Sequence, residues 1–255
     1  MRTALRHLLA VATASAIAAT APLVAPVAAA SVAVGAPSAA DSVVSVSPGE
    51  ADTVGVAAPV TIRFAAPVAD RASAEQSVGF SAPTVPHGAF SWVDDTTMRW
   101  TPSEYWPSHS TITVVAAGFP HKFRTGSEVL GIASISQHTF TVKIDGKVVK
   151  TMPASMGKPK HPTPVGSFTT LEKQNPVIMD SRTIGIPLNS PEGYRLTVYD
   201  AVRLTWGGVY VHAAPWSVAS QGKTNVSHGC INLSTDNAAW YYNTVGIGDP
   251  VIINA

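Results

Sequence analysis

The sequence predicts a mainly β protein in which two β-rich modules follow an apolar N-terminal segment. Three observations lead to this prediction. Apolar and polar residues alternate over many short runs after Asp41, as strands with one buried face require. Glycine and proline, with 19 and 20 of the 255 residues, punctuate those runs in the way that turns between strands do. A helix is indicated at only one place, shortly after the single cysteine.

The first 40 residues predict an export signal followed by an Ala/Pro-rich linker. Arg2 and Arg6 form a basic start, residues 8–20 are uncharged and apolar, and the small residues 27–30 offer a cleavage site. The alternative is an uncleaved membrane anchor, although two prolines interrupt the apolar run. We therefore expect secretion to the cell envelope or periplasmic space, with a membrane tether only if this segment is retained.

Residues 41–126 predict a small immunoglobulin-like β-sandwich. Residues 60–64 alternate cleanly between apolar and polar side chains. Two runs that flank residues 94–97 predict a hairpin, and residues 111–115 predict another strand. Several short strands without a long helical period are typical of such a sandwich. Because this module offers no nucleophile, metal cluster or acid pair, we expect it to act as a spacer.

Residues 127–255 predict a second β-rich module with little helix. Residues 140–144 and 148–152 flank Asp145-Gly146, a pair that strongly indicates a hairpin turn. A loop rich in proline and glycine then spans residues 157–168 and leads into a further strand.

The C-terminal half of this module predicts a lid, one helix and a final strand. Residues 179–195 have no clear period and are long for a connection, which indicates a lid or binding loop. Ser234 is a suitable N-cap for a helix whose apolar stretch is residues 238–241. Residues 251–253 predict the last strand.

The single cysteine, Cys230, is the candidate nucleophile. A lone thiol cannot form an intramolecular disulfide, and in an exported protein it is a liability unless it is used. A strand that ends in His212 can aim an imidazole at this thiol, and His228 lies two positions before it. A nearby histidine lowers the pKa of a thiol from about 8.5 and favours the thiolate. The N–H groups around Gly229 and Cys230 are candidate oxyanion donors.

Other interpretations of these residues stay open at this point. Cys230 could be a small packing residue, and either histidine could be structural. His212, His228 and Cys230 could together bind zinc, but no fourth ligand is obvious, so we predict no metal and no cofactor. Charged residues make up 13% of the chain, with 17 Lys+Arg against 16 Asp+Glu, which excludes the clustered basic field of a nucleic-acid-binding protein.

The order of His212 and the segment Ser227-His228-Gly229-Cys230-Ile231-Asn232 resembles the signature of the L,D-transpeptidase (YkuD-type) catalytic domain. Other segments resemble the actinobacterial form of this family, in which an immunoglobulin-like module precedes the catalytic one. The matching segments are Asp145-Gly146, Met156-Gly157, residues 163–166, 179–181 and 189–191, Gly193-Tyr194 and residues 214–217, with residues 69–71, 99–100 and 105–106 in the first module.

The resemblance implies an exported enzyme that cross-links peptidoglycan and so serves cell-wall organisation and cell shape. Cys230 would attack the peptide bond before the terminal D-alanine of a tetrapeptide stem and pass the acyl group to a diaminopimelate amine, giving a 3→3 link. His212 would be the general acid/base and His228 a close supporting residue. Carbapenems would acylate the same cysteine. Substrate or lid contacts are expected at Met179, Tyr194, Gly207, Gly208, Trp216, Ser227, Gly229 and Asn232.

Two positions depart from the family pattern, and two other functions stay open. Ile184 lies where relatives often have tyrosine, so one aromatic wall of the donor site is missing. Ala213 lies where serine is common, but its backbone carbonyl would still orient His212. The same acyl-enzyme resolved by water would make the protein an L,D-carboxypeptidase, and a retained fold without catalysis would make it a cell-wall-binding protein.

Overall fold

The computed structural model describes residues 42–255, so the predicted export signal and linker lie outside the described residues. Within this range the chain forms 19 β-strands and two α-helices, which confirms the prediction of a mainly β protein. No helix in residues 42–255 is both long enough and apolar enough to span a membrane.

The first module contains eight strands and a short helix. Their bounds are β1 Val43–Ser47, β2 Thr53–Val54, β3 Val60–Phe64, α1 Arg71–Gln76, β4 Gly79–Ser81, β5 Gly88–Trp92, β6 Thr97–Pro102, β7 Thr111–Ala116 and β8 Phe119–Thr125. The strands form two four-stranded sheets, in the orders β1-β3-β6-β5 and β2-β8-β7-β4. The predicted boundary at residue 126 follows the end of β8.

The core of the first module lies between its two sheets. Along β3, Val60, Ile62 and Phe64 are buried while Arg63 is exposed, because alternate side chains of a strand point to opposite faces. Helix α1 was not predicted from the sequence. It begins after Asp70, whose carboxylate accepts a hydrogen bond from the Ser73 N–H and so acts as its N-cap.

The second module contains eleven strands, one α-helix and two 3₁₀ helices, the latter at Ser181–Ile184 and Pro215–Ser217. Their bounds are β9 Val129–Ser134, β10 Thr139–Ile144, β11 Lys147–Pro153, β12 Gly166–Thr169, β13 Glu172–Gln174, β14 Val177–Asp180, β15 Arg195–Val198, β16 Ala201–Arg203, β17 Tyr210–Ala213, β18 Ile231–Leu233, α2 Thr235–Thr244 and β19 Pro250–Asn254. They form a five-stranded sheet β11-β10-β9-β19-β12, a four-stranded sheet β13-β16-β17-β18 and the two-stranded hairpin β14-β15.

Local sequence explains the turn and the cap that the second module needs. Asp145 and Gly146, with φ of 48° and 79°, join β10 to β11, as a two-residue hairpin turn with two positive φ angles requires. The Ser234 side chain accepts a hydrogen bond from the Asn237 N–H at the start of α2. Helix α2 therefore begins where its sequence predicts and places Tyr241 in the core.

The pairing of β17 with β18 positions the predicted site. The two strands are parallel, and His212 lies opposite Asn232. Cys230 immediately precedes β18, a strand of only three residues. Val211 and Ala213 enter the core, whereas Tyr210 packs with Cys230 in a separate small cluster. Alternate side chains of β17 therefore point to opposite faces, as in any β-strand.

The first module lies directly against the second through backbone contacts. The Gly55 N–H donates to the Ile247 carbonyl over 2.8 Å, and the Ala57 N–H donates to the Gly248 carbonyl over 2.9 Å. A Cβ on Gly55 would lie 2.1 Å from the backbone nitrogen of Asp249, so only glycine fits there. The first module is therefore docked on the second, and its role as a spacer stays a prediction.

Candidate active site

The thiol-bearing residue Cys230 lies between two cavities of about 370 Å³ and 340 Å³. Both cavities are lined by Met179, Tyr194, His228 and Cys230 itself. The other predicted site residues that line them are His212, Trp216, Ser227 and Asn232 in the larger cavity and Gly207 and Gly208 in the smaller one.

The imidazole of His212 is buried and held in one orientation. Only 3% of this residue is exposed, and its Nδ1 lies 2.9 Å from the carbonyl oxygen of Ala213. Because a carbonyl only accepts hydrogen bonds, Nδ1 carries the proton and Nε2 keeps a lone pair. The Ala213 carbonyl thus orients the His212 imidazole, as predicted, and Nε2 is left available as a base.

Burial sets the protonation of the two reacting groups. It lowers the pKa of His212 to about 4 and raises the pKa of the Cys230 thiol to about 11. The thiol donates a hydrogen bond to the carbonyl oxygen of Gly208 over 3.5 Å. Desolvation disfavours the charged forms of both groups and so opposes a resting thiolate. The expectation that a neighbouring imidazole favours the thiolate stays a prediction.

The turn before Cys230 is held by side chains on both sides. Ser227 Oγ donates to the Cys230 carbonyl oxygen over 2.6 Å and accepts from the Gly229 N–H over 3.1 Å. Thr163 Oγ1 donates to the Gly229 carbonyl over 2.9 Å. Gly229 has a φ of 120°, a region that favours glycine. Because the Gly229 N–H already donates to Ser227 Oγ, the Cys230 N–H is the remaining one of the two predicted oxyanion donors.

The Asn232 side chain is held by Ser217, which was not among the predicted site residues. Its Nδ2 donates to Ser217 Oγ over 3.1 Å, and Gln221 Nε2 lies 3.3 Å from the same oxygen. Asn232 Oδ1 is buried and has no hydrogen-bond partner within residues 42–255. Asn232 lines the larger cavity, but this oxygen itself is not accessible to solvent in the described structure.

His228 belongs to a different set of contacts from His212. Its Nε2 accepts a hydrogen bond from Lys158 Nζ over 3.3 Å, and its ring centroid lies 5.0 Å from those of His161 and Tyr194. Burial, together with the neighbouring Lys158 ammonium, lowers the pKa of His228. His228 therefore helps to form the cavity wall, in a network that also includes Glu192.

The sequence signal for this network was weak. Lys158 and His161 lie in the Pro/Gly-rich loop, and Glu192 is a single acidic residue in the predicted lid. Their spacing in the sequence does not show that they meet. The zinc alternative had combined His228 with His212 and Cys230, whereas the described structure brings His228 together with His161 and Glu192, whose potential ligand atoms lie within 4.8 Å of one another.

The β14-β15 hairpin and the segment after His212 complete the walls. Met179 lies in β14, and Tyr194 immediately precedes β15. Ile184 lines the smaller cavity, so the wall is aliphatic at the position where relatives often have tyrosine. Trp216 is 54% exposed, and its ring centroid lies 6.0 Å from that of His212. A large exposed aromatic surface next to the base is suited to contact with a substrate.

Comparison with known proteins connects this geometry to one family. Residues 129–253 match the YkuD family of L,D-transpeptidase catalytic domains, and residues 13–118 match a family of bacterial Ig domains. L,D-transpeptidase 1 of Mycobacterium tuberculosis is 57% identical over 198 residues, which are 78% of this chain and 79% of that protein.

Two solved structures are similar over most of this chain. An L,D-transpeptidase from Mycobacterium smegmatis is 61% identical with a TM-score of 0.81, over 84% of this chain and 98% of that chain. An LD transpeptidase in complex with imipenem is 55% identical with a TM-score of 0.79, over 84% of this chain and 99% of that chain. The likeness extends to the sequence, the fold and the presence of both modules.

Proposed function

This chain belongs to the L,D-transpeptidase family, and we propose that it forms 3→3 cross-links in peptidoglycan through an acyl-enzyme on Cys230. The observation that carries the proposal is a thiol and an oriented, neutral imidazole that line one cavity. A partly exposed thiol that shares a cavity with a base of this kind is suited to acyl transfer. The resemblance of the whole signature supplies the substrate class, a tetrapeptide stem.

The first half of the reaction makes a thioester. His212 Nε2 takes the thiol proton while the sulfur of Cys230 attacks the carbonyl carbon between the third and fourth stem residues. The Cys230 N–H is the candidate donor to the oxyanion that forms. The C–N bond then breaks, the imidazolium returns its proton to the departing amine, and D-alanine leaves.

The second half transfers the acyl group. The side-chain amine of a diaminopimelate residue from another stem attacks the thioester carbonyl, and His212 accepts a proton from that amine. The C–S bond breaks, the proton returns to sulfur, and the resting neutral pair is restored. Because burial keeps the pKa of His212 near 4, the unprotonated base is present at neutral pH.

The two cavities favour transfer to an amine over simple hydrolysis. Cys230 lines both, so each cavity offers a separate place for a molecule next to this residue. We assign one cavity to the acyl donor and the other to the acceptor. The L,D-carboxypeptidase alternative needs only one such site and water.

Candidate substrate contacts surround the thiol in the larger cavity. Asn232 lines this cavity, and Trp216 offers an exposed ring beside His212. Met179 and Tyr194 form the wall shared by the two cavities. We propose that these side chains hold the stem while Ser227 and Gly229 keep the nucleophile's turn in place.

Inhibition and location follow from the same proposal. One solved relative is described in complex with imipenem, and this supports acylation of Cys230 by carbapenems in this chain. A peptidoglycan substrate lies outside the cytoplasm, which agrees with the export signal expected in residues 1–40. The reaction as written needs no metal and no cofactor.

Product analysis separates the three functions that the sequence left open. The protein is incubated with a disaccharide-tetrapeptide, and the products are identified by mass spectrometry. The proposal predicts a cross-linked dimer formed with loss of one D-alanine, absent with Cys230→Ala. Tripeptide as the only product would identify a carboxypeptidase. Binding of wall fragments without any product would identify a non-catalytic wall-binding protein.

A further inference from the structure

The lid segment, residues 181–194 between β14 and β15, is fixed at its base by a buried serine. Ser181 is fully buried, and its N–H donates to the Tyr194 carbonyl over 2.9 Å. Its Oγ donates to the Ile186 carbonyl over 2.9 Å and accepts from the Tyr194 N–H over 3.0 Å. The two ends of the lid segment are thus joined through one residue.

The C-terminal part of the lid segment is held by a second and separate set of contacts. The Glu192 carboxylate accepts hydrogen bonds from Lys158 Nζ at 2.9 Å, Lys160 Nζ at 2.8 Å and His161 Nε2 at 3.1 Å. All three donors lie on the Pro/Gly-rich loop, outside the lid. We call these three contacts the Glu192 latch.

The latch is partly buried, which distinguishes it from an ordinary surface ion pair. The side chains of Glu192 and Lys158 are each 26% exposed and that of His161 is 22% exposed, while that of Lys160 is 70% exposed. Exposed pairs contribute little because water screens them, whereas a carboxylate with three donors is well compensated for its desolvation. Hydrogen bonds from Lys160, Lys158 and His161 hold the pKa of Glu192 well below its usual range.

The latch is connected to the walls of both cavities. Lys158 Nζ, which binds Glu192, also donates to His228 Nε2 over 3.3 Å. The His228 ring packs on Tyr194, which lies only two residues after Glu192. Both rings line the two cavities that Cys230 shares. A displacement of Glu192 would therefore move two walls of the site at once.

The backbone beside Glu192 is tightly packed, so this connection is stiff. A Cβ on Gly193 would lie 2.5 Å from the carbonyl oxygens of Pro187 and Leu188. The Gly193 N–H also donates to the Ser190 carbonyl over 2.8 Å. The backbone around Gly193 is therefore compact. A shift of the Glu192 carboxylate is transmitted through it to Tyr194.

From these contacts we propose that Glu192 is a positioning residue, whose carboxylate latches the lid to the loop of residues 157–165 and thereby sets where Tyr194 and His228 stand around Cys230. The inference deepens the proposed function, because it concerns how an acyl donor is received in the same cavities. Glu192 acts through other side chains and does not touch the reacting atoms.

A metal ion is the competing explanation for the same cluster. His161, Glu192 and His228 bring ligand atoms within 4.8 Å of one another, and such a set suits zinc. However, the Lys158 ammonium already binds both Glu192 and His228, and Lys160 binds Glu192 as well. Two adjacent cations oppose a dication, so the geometry favours a latch made by the protein alone.

The test compares Glu192→Gln with the matched variant Glu50→Gln, an exposed glutamate in the first module. Hydrogen exchange of the full chain reports opening of residues 181–194. The intact mass of the protein, followed over time at several imipenem concentrations, reports acylation. Glu192→Gln should raise lid exchange about tenfold, as expected when a local closing contact is lost. It should raise the half-saturating imipenem concentration about fivefold and change the limiting rate less than twofold, because it alters binding geometry and not the base.

Two further measurements keep the test decisive. Lys160→Met removes one exposed donor and should produce a smaller change in the same direction, even if Glu192→Gln folds poorly. Added salt should raise lid exchange in wild type but not in Glu192→Gln, since only the charged latch is screened. A purely structural role for Glu192 would not give this difference.

Each outcome has a defined meaning. Unchanged lid exchange in Glu192→Gln, or an equal effect of Glu50→Gln, would overturn the latch. Lid opening by a chelator in wild type, reversed by zinc, would replace it with a metal site. If wild type is not acylated at all, the proposed function fails, while the exchange data still decide on the latch.

Discussion

His212 donates its Nδ1–H to the carbonyl oxygen of Ala213, the next residue of the same strand, over 2.9 Å. This contact selects the tautomer in which Nε2 is the base, and it depends on the backbone, not on a neighbouring side chain. The residue after the histidine can therefore be alanine without loss of the orienting partner. Burial completes the arrangement by keeping the imidazole neutral.

The first prediction concerns the pH dependence of acylation by imipenem. A histidine whose pKa is lowered to about 4 is active as a base above that pH and inactive below it. The acylation rate should therefore rise as pH increases through about 4 and stay level across neutral pH. His212→Ala should lower the rate at pH 7 by at least about 100-fold and abolish the rise near pH 4, which is the acid limb of the profile.

His228→Ala is the control for this assignment. It should keep the limb near pH 4, because His228 accepts from Lys158 and does not serve as the base. Disappearance of the limb in His228→Ala, with His212→Ala retaining it, would show that the base has been wrongly identified. A limb near the pKa of an ordinary thiol would instead indicate a thiolate formed before attack.

The second prediction tests the turn that presents the nucleophile. Gly229 has a φ of 120°, while a Cβ there would meet nothing closer than 3.8 Å, so Gly229→Ala introduces backbone strain and no clash. Strain of this kind costs about 1–3 kcal/mol. We expect a lower free energy of unfolding and an acylation rate reduced at least about tenfold, since small displacements of reacting atoms are costly.

Gly118→Ala provides the matched control for the turn. Gly118 also has a positive φ, of 82°, with no atom within 4 Å of the added Cβ, but it lies between β7 and β8 of the first module. It should lower stability to a similar extent and leave acylation unchanged. Equal losses of acylation in the two variants would mean that stability, and not the turn, determines the rate.

The third prediction concerns Asp249, a buried carboxylate beside the contact between the modules. Burial raises its pKa from 3.8 to about 7. Between these values the native state binds more protons than the unfolded state, so this group's contribution to stability falls as pH rises from about 4 to 7. A shift of this size costs the charged native state about 4 kcal/mol.

Asp249→Asn should therefore be more stable than wild type at pH 8, and the difference should shrink toward zero near pH 4. Denaturant unfolding at several pH values measures it. The contribution of His212 to stability depends on pH in the opposite direction. Because its pKa is lowered in the native state, this contribution rises with pH between about 4 and 6.5. The difference between variant and wild type removes that contribution. A constant difference at all pH values would contradict the assignment to Asp249.

Much of the fold was predictable because its signals are local. Strand β3 has the predicted bounds, Asp145-Gly146 forms the predicted hairpin turn, and Ser234 caps the predicted helix. Helix α1 was not predicted, because it is only six residues long and carries no apolar period. Strand β18 has three residues and is defined by its pairing with β17, a tertiary property.

Most of the predicted site residues line the cavities next to Cys230, but the electrostatics of these residues was not predictable from the sequence. The predicted residues lie together because the signature places them on adjacent strands and turns. The protonation of Cys230 and His212 depends on how deeply the fold buries them, and sequence spacing does not report burial. The meeting of Glu192 with Lys158 joins residues 34 positions apart, and only the folded lid brings them into contact.

The central claim is that the Cys230 sulfur is a nucleophile served by a buried base, and the intact mass of the protein after incubation with imipenem tests it most directly. The account predicts a single adduct of the mass of imipenem on wild type and none on Cys230→Ala. No adduct on wild type, or the same adduct on Cys230→Ala, would contradict it.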